Sequence, residues 1–524
     1  MEIAELIEQL ANPRAYPTPV AAVEVRQTHI SVVFLTEQFA YKVKKPVRLS
    51  FLDYSTLTKR RHFCEDEVRL NRRLAADVYL EVVPITESAG ALHFEGNGTP
   101  IEWAVKMRRL PDEATLQLRV LRSQVDCALA AAIGRRIAAF HAVAESNERI
   151  ASFGRFAGVS ANILDNLKQA ELHVGKVVSP EVFERLKVLT ASRLEGLQPL
   201  IEDRAGRGVP RDTHGDMHLD HIYYFPDRPP PGDIVIVDCI EFNERFRYAD
   251  PIADMAFLAM DLDFHGRRDL AQAFSEAYFE AAGDLEGRAL LPLYASYRAA
   301  VRGKVEGMQV DEPEIPAADR AAALRRARAH WLLARGELEA PDRRPCLVLV
   351  AGLPGAGKST LARGIADHAN FCVIRSDAIR KELTGVEANR GDIYTPEWND
   401  RTYAECLRRT EEALFSGERV LVDANLRAES QRRPFLALAR RWHLPAIFFH
   451  CQAGPETVRR RLGTRTGDVS DADWRVYEEL SASWEAPGEE TKRALYLIDA
   501  NQEPESCLRQ ALRQLCAEGL HEQR

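Results

Sequence analysis

Apolar and polar positions alternate with period two in VAAVEV, ISVVFL and FAYKVK, between residues 20 and 85, the pattern of strands with one face buried. A charged stretch with helical spacing runs from 60 to 74, and IEWAVKM at 101–107 is a further strand, ended by Pro111. These elements predict a small sheet-plus-helix lobe over about 20–110. Helical spacing takes over from 125 to 202 (ALAAAIGRRIAAFHAV, VFERLKVLTASRLEGL) and returns from 253 to 333, around a loop-rich island at 211–250. Pro313 and Pro316, then Pro341 and Pro345, interrupt the helices, so the main boundary is expected near residue 340. Beyond it CLVLVA, FCVIR, RVLVDA, LPAIFFH and LYLIDA alternate with helical stretches, which predicts a parallel sheet with crossover helices.

Two modules follow from this pattern, at 1–340 and 341–524, and 524 residues with 46% hydrophobic positions suffice for both cores. Lys and Arg number 70 against 78 Asp and Glu, so the net charge of -8 disfavours a basic nucleic-acid binder. Nine cysteines without a C-x-x-C pair read as neither a disulfide framework nor a zinc ribbon, and a reducing cytoplasm is the expected setting. The N-terminal stretch lacks an export pattern, and apolar runs fall short of the roughly 18 residues a membrane span requires, so no membrane partner is expected.

Gly352-Leu353-Pro354-Gly355-Ala356-Gly357-Lys358-Ser359-Thr360 fits G-x-x-x-x-G-K-[ST] between a predicted strand and a predicted helix. Backbone amides of such a loop surround phosphate oxygens, Lys358 neutralises β/γ charge, and the Ser359 hydroxyl faces Mg²⁺. Asp377, after FCVIR, is the candidate base towards an attacking hydroxyl, with helix capping as the simpler role. Asp423 ends the strand RVLVD, where a Walker-B carboxylate would hold the metal. Arg459, Arg460, Arg461 and Arg465 form a basic strip suited to clamping a triphosphate.

GLPGAGKST, RSDAIRKEL, VDANLRAESQRR and these arginines resemble the small P-loop kinases related to phage polynucleotide kinase and zeta toxin, over about 345–500. The resemblance implies an α/β P-loop NTPase fold, ATP as phosphoryl donor, Asp377 as base and an arginine lid bearing Arg461 and Arg465. Acceptors in that group range from nucleic-acid ends to sugars, so the acceptor does not transfer. From Pro341 onward the net charge is about -1, which weakens a polynucleotide acceptor.

In the island, His214, Asp216, His218, Asp220 and His221 crowd together, and Asp238 follows the strand IVIV. One reading is a Zn²⁺ hydrolase, because H-L-D-H resembles part of the metallo-β-lactamase run, although Asp216 stands where its first histidine belongs. The other is phosphoryl transfer, with a loop aspartate orienting the acceptor and a later one holding metal. His214-Gly215-Asp216-Met217-His218 and Asp250-Pro251-Ile252-Ala253-Asp254 resemble the motifs of the aminoglycoside phosphotransferase and choline kinase family. That resemblance implies an α+β protein-kinase-like module with a small β lobe (about 20–110) and a helical lobe (about 111–340). It makes Asp216 the catalytic base, Asp238 a metal ligand, Lys42 the α/β-phosphate lysine and Glu67 its ion-pair partner, with Glu65 second. The family's metal-binding asparagine falls at His221, and no glycine-rich loop separates the first two strands.

The expectation is an ATP- and Mg²⁺-dependent phosphotransferase with two kinase modules and a small hydroxylated acceptor. The alternatives are a nucleotide-sensing protein whose first module is inactive and a nucleic-acid 5′-hydroxyl kinase.

Overall fold

The computed structural model describes residues 3–49, 52–312, 315–384, 395–463 and 474–522. Contacts divide the chain into two units, Met1–Asn162 with Leu197–Tyr294, and Ile163–Gly196 with Ala295–Arg524.

In the first unit an antiparallel six-stranded sheet takes in Glu24–Gln27, Ser31–Leu35, Phe39–Lys44, Pro100–Arg108, Tyr79–Ser88 and Ala91–Phe94, in that spatial order. Period-two alternation gives each face its own partner. Val32, Phe34, Tyr41 and Val43 pack with Leu6 and Leu10 of the N-terminal helix, while Val105 and Tyr79 pack with Cys64 and Val68 of the Leu57–Ala75 helix. Thr56 caps that helix by accepting from the Lys59 amide at 3.3 Å. Lys42 and Lys44, two apart on one strand, both ion-pair with Glu67 of the same helix.

The island opens with the strand Arg211–Asp212 and continues through the antiparallel pair Ile222–Tyr224 and Ile234–Ile236. Behind it lies the Pro251–Phe264 helix, whose near-complete burial needs apolar residues on every side, as MAFLAM provides. Asp250 caps it, accepting from the Ile252 amide at 2.9 Å. The other oxygen of that cap receives Arg204 Nε at 2.7 Å, and Arg204 also donates to Asp284 at 2.7 Å and Glu286 at 3.0 Å while only 1% exposed.

The second unit holds a five-stranded sheet in the order Cys372–Arg375, Val420–Asp423, Leu347–Ala351, Ala446–Gln452, Leu495–Asp499, with every pair parallel. Short, wholly apolar strands such as Leu347–Ala351 suit a sheet covered on both faces. The expected break near 340 falls inside this unit. The prolines there end helices without ending contact: Ala323, Ala327, Trp331 and Ala334 of the Ala317–Leu338 helix are buried, Arg328 lies over the Phe415 ring at 4.5 Å, and Arg419 donates to the Pro341 carbonyl at 2.6 Å. Among the described residues no helix is long and apolar enough to cross a membrane.

Replacing Arg204 by leucine leaves the buried Asp250 and the half-buried Asp284 without their ion-pair partner, which costs about 3–5 kcal/mol. Thermal unfolding followed by circular dichroism then shows a lower first transition; an unchanged transition contradicts the structural role assigned to Arg204.

Candidate active site

The first crevice is built around the loop from Thr213 to His221. Gly215 turns it at φ +88°, where a Cβ would sit 2.8 Å from the Phe246 carbonyl oxygen, so only glycine fits. Asp254, the last residue of D-P-x-x-D, accepts from the amides of His214 at 3.0 Å and Gly215 at 2.8 Å. His141 donates to the same carboxylate at 3.1 Å and has its other ring nitrogen 2.9 Å from the Tyr278 hydroxyl. Burial pushes Asp254 up, but the His141 hydrogen bond and charge prevail and hold it down at about 2. A permanently ionised carboxylate thereby fixes the backbone one residue before Asp216.

Asp216 is half-buried, its Oδ2 3.7 Å from His218 Nε2 and 3.6 Å from His221 Nδ1. Asp238 follows the Ile234–Ile236 strand with φ +65°, a conformation uncommon for a residue with a side chain, and its amide donates to the Tyr79 hydroxyl at 3.1 Å. Lys42 Nζ lies 2.7 Å from Asp238 Oδ1 and 2.8 Å from Glu67 Oε1. Burial opposes the charge on each, yet Lys42 is raised well above the usual lysine range by Asp238 and Glu67, and Asp238 is pulled well below the carboxylate range by Lys42 and His221. The structure thus brings Lys42, Glu67, Asp216, His221 and Asp238 into one crevice, while Glu65 pairs with Arg61 on the exposed helix face.

Several partners escaped the sequence reading. Lys44, 1% exposed, reaches Glu67 Oε2 at 2.6 Å and also bonds Glu241, which accepts from Tyr54. Asn71, one turn beyond Glu67, accepts from the Cys239 amide at 2.8 Å, and Arg73 donates to the carbonyls of Asp212 at 2.7 Å and Thr213 at 2.9 Å. Helical spacing from Glu67 and the i+2 position of Lys44 are the signals that point to Asn71 and Lys44.

The second crevice lies where the central strand Leu347–Ala351 meets the Lys358–Ala369 helix. Gly357 stands at φ +88° beside Arg461, whose Nη1 would be 3.5 Å from a Cβ there. Lys358 is buried, Ser359 half-buried and Thr360 exposed. Asp423, paired in register with Val350 on the neighbouring strand, is 4% exposed; its Oδ2 faces Arg375 Nε at 3.3 Å and its Oδ1 has no hydrogen-bond partner among the described residues. Asp377 sits in the first turn of the Ser376–Thr384 helix, so it is a helical residue and not the cap. Arg465 lies outside the described residues.

Beside the phosphate loop is a cavity of about 860 Å³ lined by Leu353, Ala356, His450, Tyr477, Trp484 and Asn501. His450 stacks on Trp484, ring centroids 4.3 Å apart and planes 8° from parallel, and burial, assisted by Arg432, lowers its pKa to about 4. Because the folded pKa lies below the unfolded value of about 6.5, the unfolded chain takes up protons first. The stabilising contribution is complete above pH 6.5 and declines towards pH 4. His450→Phe, which keeps the stack, flattens the slope of denaturant midpoint against pH in that window; an equal slope in both proteins contradicts the assignment.

Residues 54–294 match the family model described as phosphotransferase enzyme family, and residues 347–487 match that of an AAA domain. An uncharacterized protein of Mycobacterium tuberculosis (strain ATCC 25618 / H37Rv) is 34% identical over 468 residues, spanning 88% of this chain and 90% of its own length, and one of Mycobacterium bovis matches to the same extent. Among solved structures, a choline/ethanolamine kinase family protein from Mesorhizobium loti is 14% identical with a TM-score of 0.37, over 64% of this chain and 99% of its own. A sugar kinase from Janibacter sp. HTCC2649 is 21% identical with a TM-score of 0.29, over 34% and 99%. The strands flanking the His214–His221 loop are only two or three residues long and the Pro251–Phe264 helix follows them, which is not the strand-rich sandwich the hydrolase reading requires. The chain belongs to the family of its mycobacterial relatives, and in it a phosphotransferase enzyme family domain is joined to a P-loop kinase-like AAA domain.

Proposed function

We propose that the chain is an ATP-dependent phosphotransferase with two kinase modules, at 1–340 and 341–524, each moving the γ-phosphoryl of ATP to a hydroxyl of a small molecule. The observation that carries this reading is the convergence of Lys42, Glu67, Asp216 and Asp238 in one crevice from four separate segments. A lysine held by a helix glutamate, a loop carboxylate and a strand-end carboxylate are what positioning and charge stabilisation of a phosphoryl group require.

In the first module Lys42, held by Glu67, takes the α/β-phosphates and releases Asp238. Asp216, placed by the Asp254-anchored loop, accepts the proton of the acceptor hydroxyl. The second module uses the amides of Gly352, Gly355, Ala356, Gly357 and Thr360 with Lys358 for the phosphates, Arg461 and Arg465 as a clamp, and Asp377 as base. Ser359 and the open Oδ1 of Asp423 fit Mg²⁺, which neutralises β/γ-phosphate charge when bound. The first crevice fits Mg²⁺ poorly, because an imidazole, His221, occupies the place of a hard oxygen ligand beside Asp238.

A small acceptor is supported by the net charge of -8, which disfavours polyanions. Nine free cysteines support a cytoplasmic setting. One observation favours a sensing role for the first module: Lys42 already pairs directly with Asp238.

Steady-state ADP release over a library of hydroxylated metabolites separates these readings. Asp216→Asn and Asp377→Asn each abolish turnover of a different acceptor, with losses of about 10²- to 10⁴-fold. Unchanged rates in both variants contradict the enzyme reading. Phosphate appearing only on 5′-hydroxyl oligonucleotides, lost in Asp377→Asn, replaces the small acceptor with a nucleic-acid end.

A further inference from the structure

Lys44 is 1% exposed, and an ammonium group has three protons to donate. They meet Glu67 Oε2 at 2.6 Å, the Tyr54 hydroxyl at 3.3 Å and Glu241, which also accepts from Tyr54. Three donors thus find three acceptors inside the protein, and Lys44 does not itself serve a ligand. Lys42, two residues away on the same strand face, is placed differently. Its side chain keeps 15% exposure, and its Nζ hydrogen-bonds Asp238 Oδ1 at 2.7 Å.

Glu67 Oε1 is only 2.8 Å from that nitrogen, an ion pair by distance. The contact lacks the angle of a hydrogen bond, so Oε1 is a buried acceptor without a hydrogen-bond partner among the described residues. Burying an acceptor in that state is unfavourable, and it persists only where the group is held from elsewhere. The two oxygens of Glu67 therefore have different roles. Oε2 is fixed by Lys44, and because a carboxylate is planar, Oε1 is kept beside Lys42.

Lys44 also reaches Glu241, three residues beyond Asp238 on the segment that follows the Ile234–Ile236 strand. One buried ammonium ties a strand, a helix and the strand-end segment together behind the crevice. It also occupies the oxygen that would otherwise let Glu67 claim Lys42 with both arms.

We infer that Lys44 is a positioning residue of the first module. It keeps Glu67 Oε1 aimed at Lys42, so that Lys42 exchanges its hydrogen bond to Asp238 for one to Glu67 when a phosphate group draws it. The lysine then holds its place and its charge while Asp238 is freed. This role rests on the phosphotransfer reading and adds to it a residue that touches neither nucleotide nor acceptor.

The test is titration calorimetry with a non-hydrolysable ATP analogue and divalent metal on the full chain carrying Lys358→Met, which disables the phosphate loop of the second module. Lys44→Met weakens binding of the analogue about tenfold. It also lowers the thermal midpoint, because Glu241 becomes an unpaired buried carboxylate. Lys44→Met combined with Glu241→Leu separates the two effects. Replacing the whole pair by apolar side chains restores the midpoint, followed by circular dichroism, but leaves affinity low, since Glu67 Oε2 is still released. A lysine with a merely structural role would recover both together. In a chain carrying Glu67→Gln, the same pair of substitutions costs no further affinity, because Lys44 acts through Glu67. Affinity that recovers with stability in the paired variant, or a loss that adds in full to that of Glu67→Gln, overturns the role of Lys44 while the phosphotransfer reading stands. A Lys358→Met chain that takes up no nucleotide overturns both.

Discussion

Two lysines and three carboxylates share one cluster in the first module, buried except at Asp238, and its arrangement depends on that imbalance. Lys42 and Lys44 meet Glu67, Asp238 and Glu241, drawn from a strand, a helix and the segment after a second strand. Buried ion pairs of this kind contribute little net stability against their apolar equivalents, but breaking one leaves an uncompensated charge. The cluster therefore locks three elements into one geometry. Glu67 is held from both sides, so Lys42 cannot drift when Asp238 changes partner, and the surplus negative charge leaves room for a cation or for the positive end of a phosphate site.

The loop bearing Asp216 obeys the same logic. Its amides terminate on Asp254, an ionised side chain inside a helix buried on almost every face, and His141 and Tyr278 secure that carboxylate in turn. The second module sets a glycine-rich loop before a helix N-terminus where the first has a lysine–glutamate pair. Here too the strand-end aspartate carries an open oxygen, at Asp423. In the proposed reading, unrelated scaffolds meet one electrostatic problem, the stabilisation of charge on a transferring phosphoryl group.

Much of this was legible in the sequence because it is local. Period-two alternation in FAYKVK put Lys42 on a strand face, and the strand–loop–helix context of GLPGAGKST placed the phosphate loop. The family findings agree with the two-module architecture expected from those motifs. What was not legible depends on residues far apart in the chain. Glu241 meets Lys44 across 197 positions and Arg73 meets Thr213 across 140, distances that no periodicity encodes. Prolines near 340 mark where helices stop, whereas the alanine-lined face of Ala317–Leu338 is buried within the second unit, a contact that no local pattern encodes. Strands missed between 79 and 94 carry Glu, Pro and Ser within an irregular pairing, which blurs the alternation.

The central claim is that one polypeptide grips adenine nucleotide twice. Titration calorimetry with a non-hydrolysable ATP analogue and divalent metal tests it most directly, on the native chain and on Lys42→Met and Lys358→Met. Two equivalents bind the native chain and each variant retains one; a single equivalent in the native protein, abolished by one variant and untouched by the other, contradicts the account.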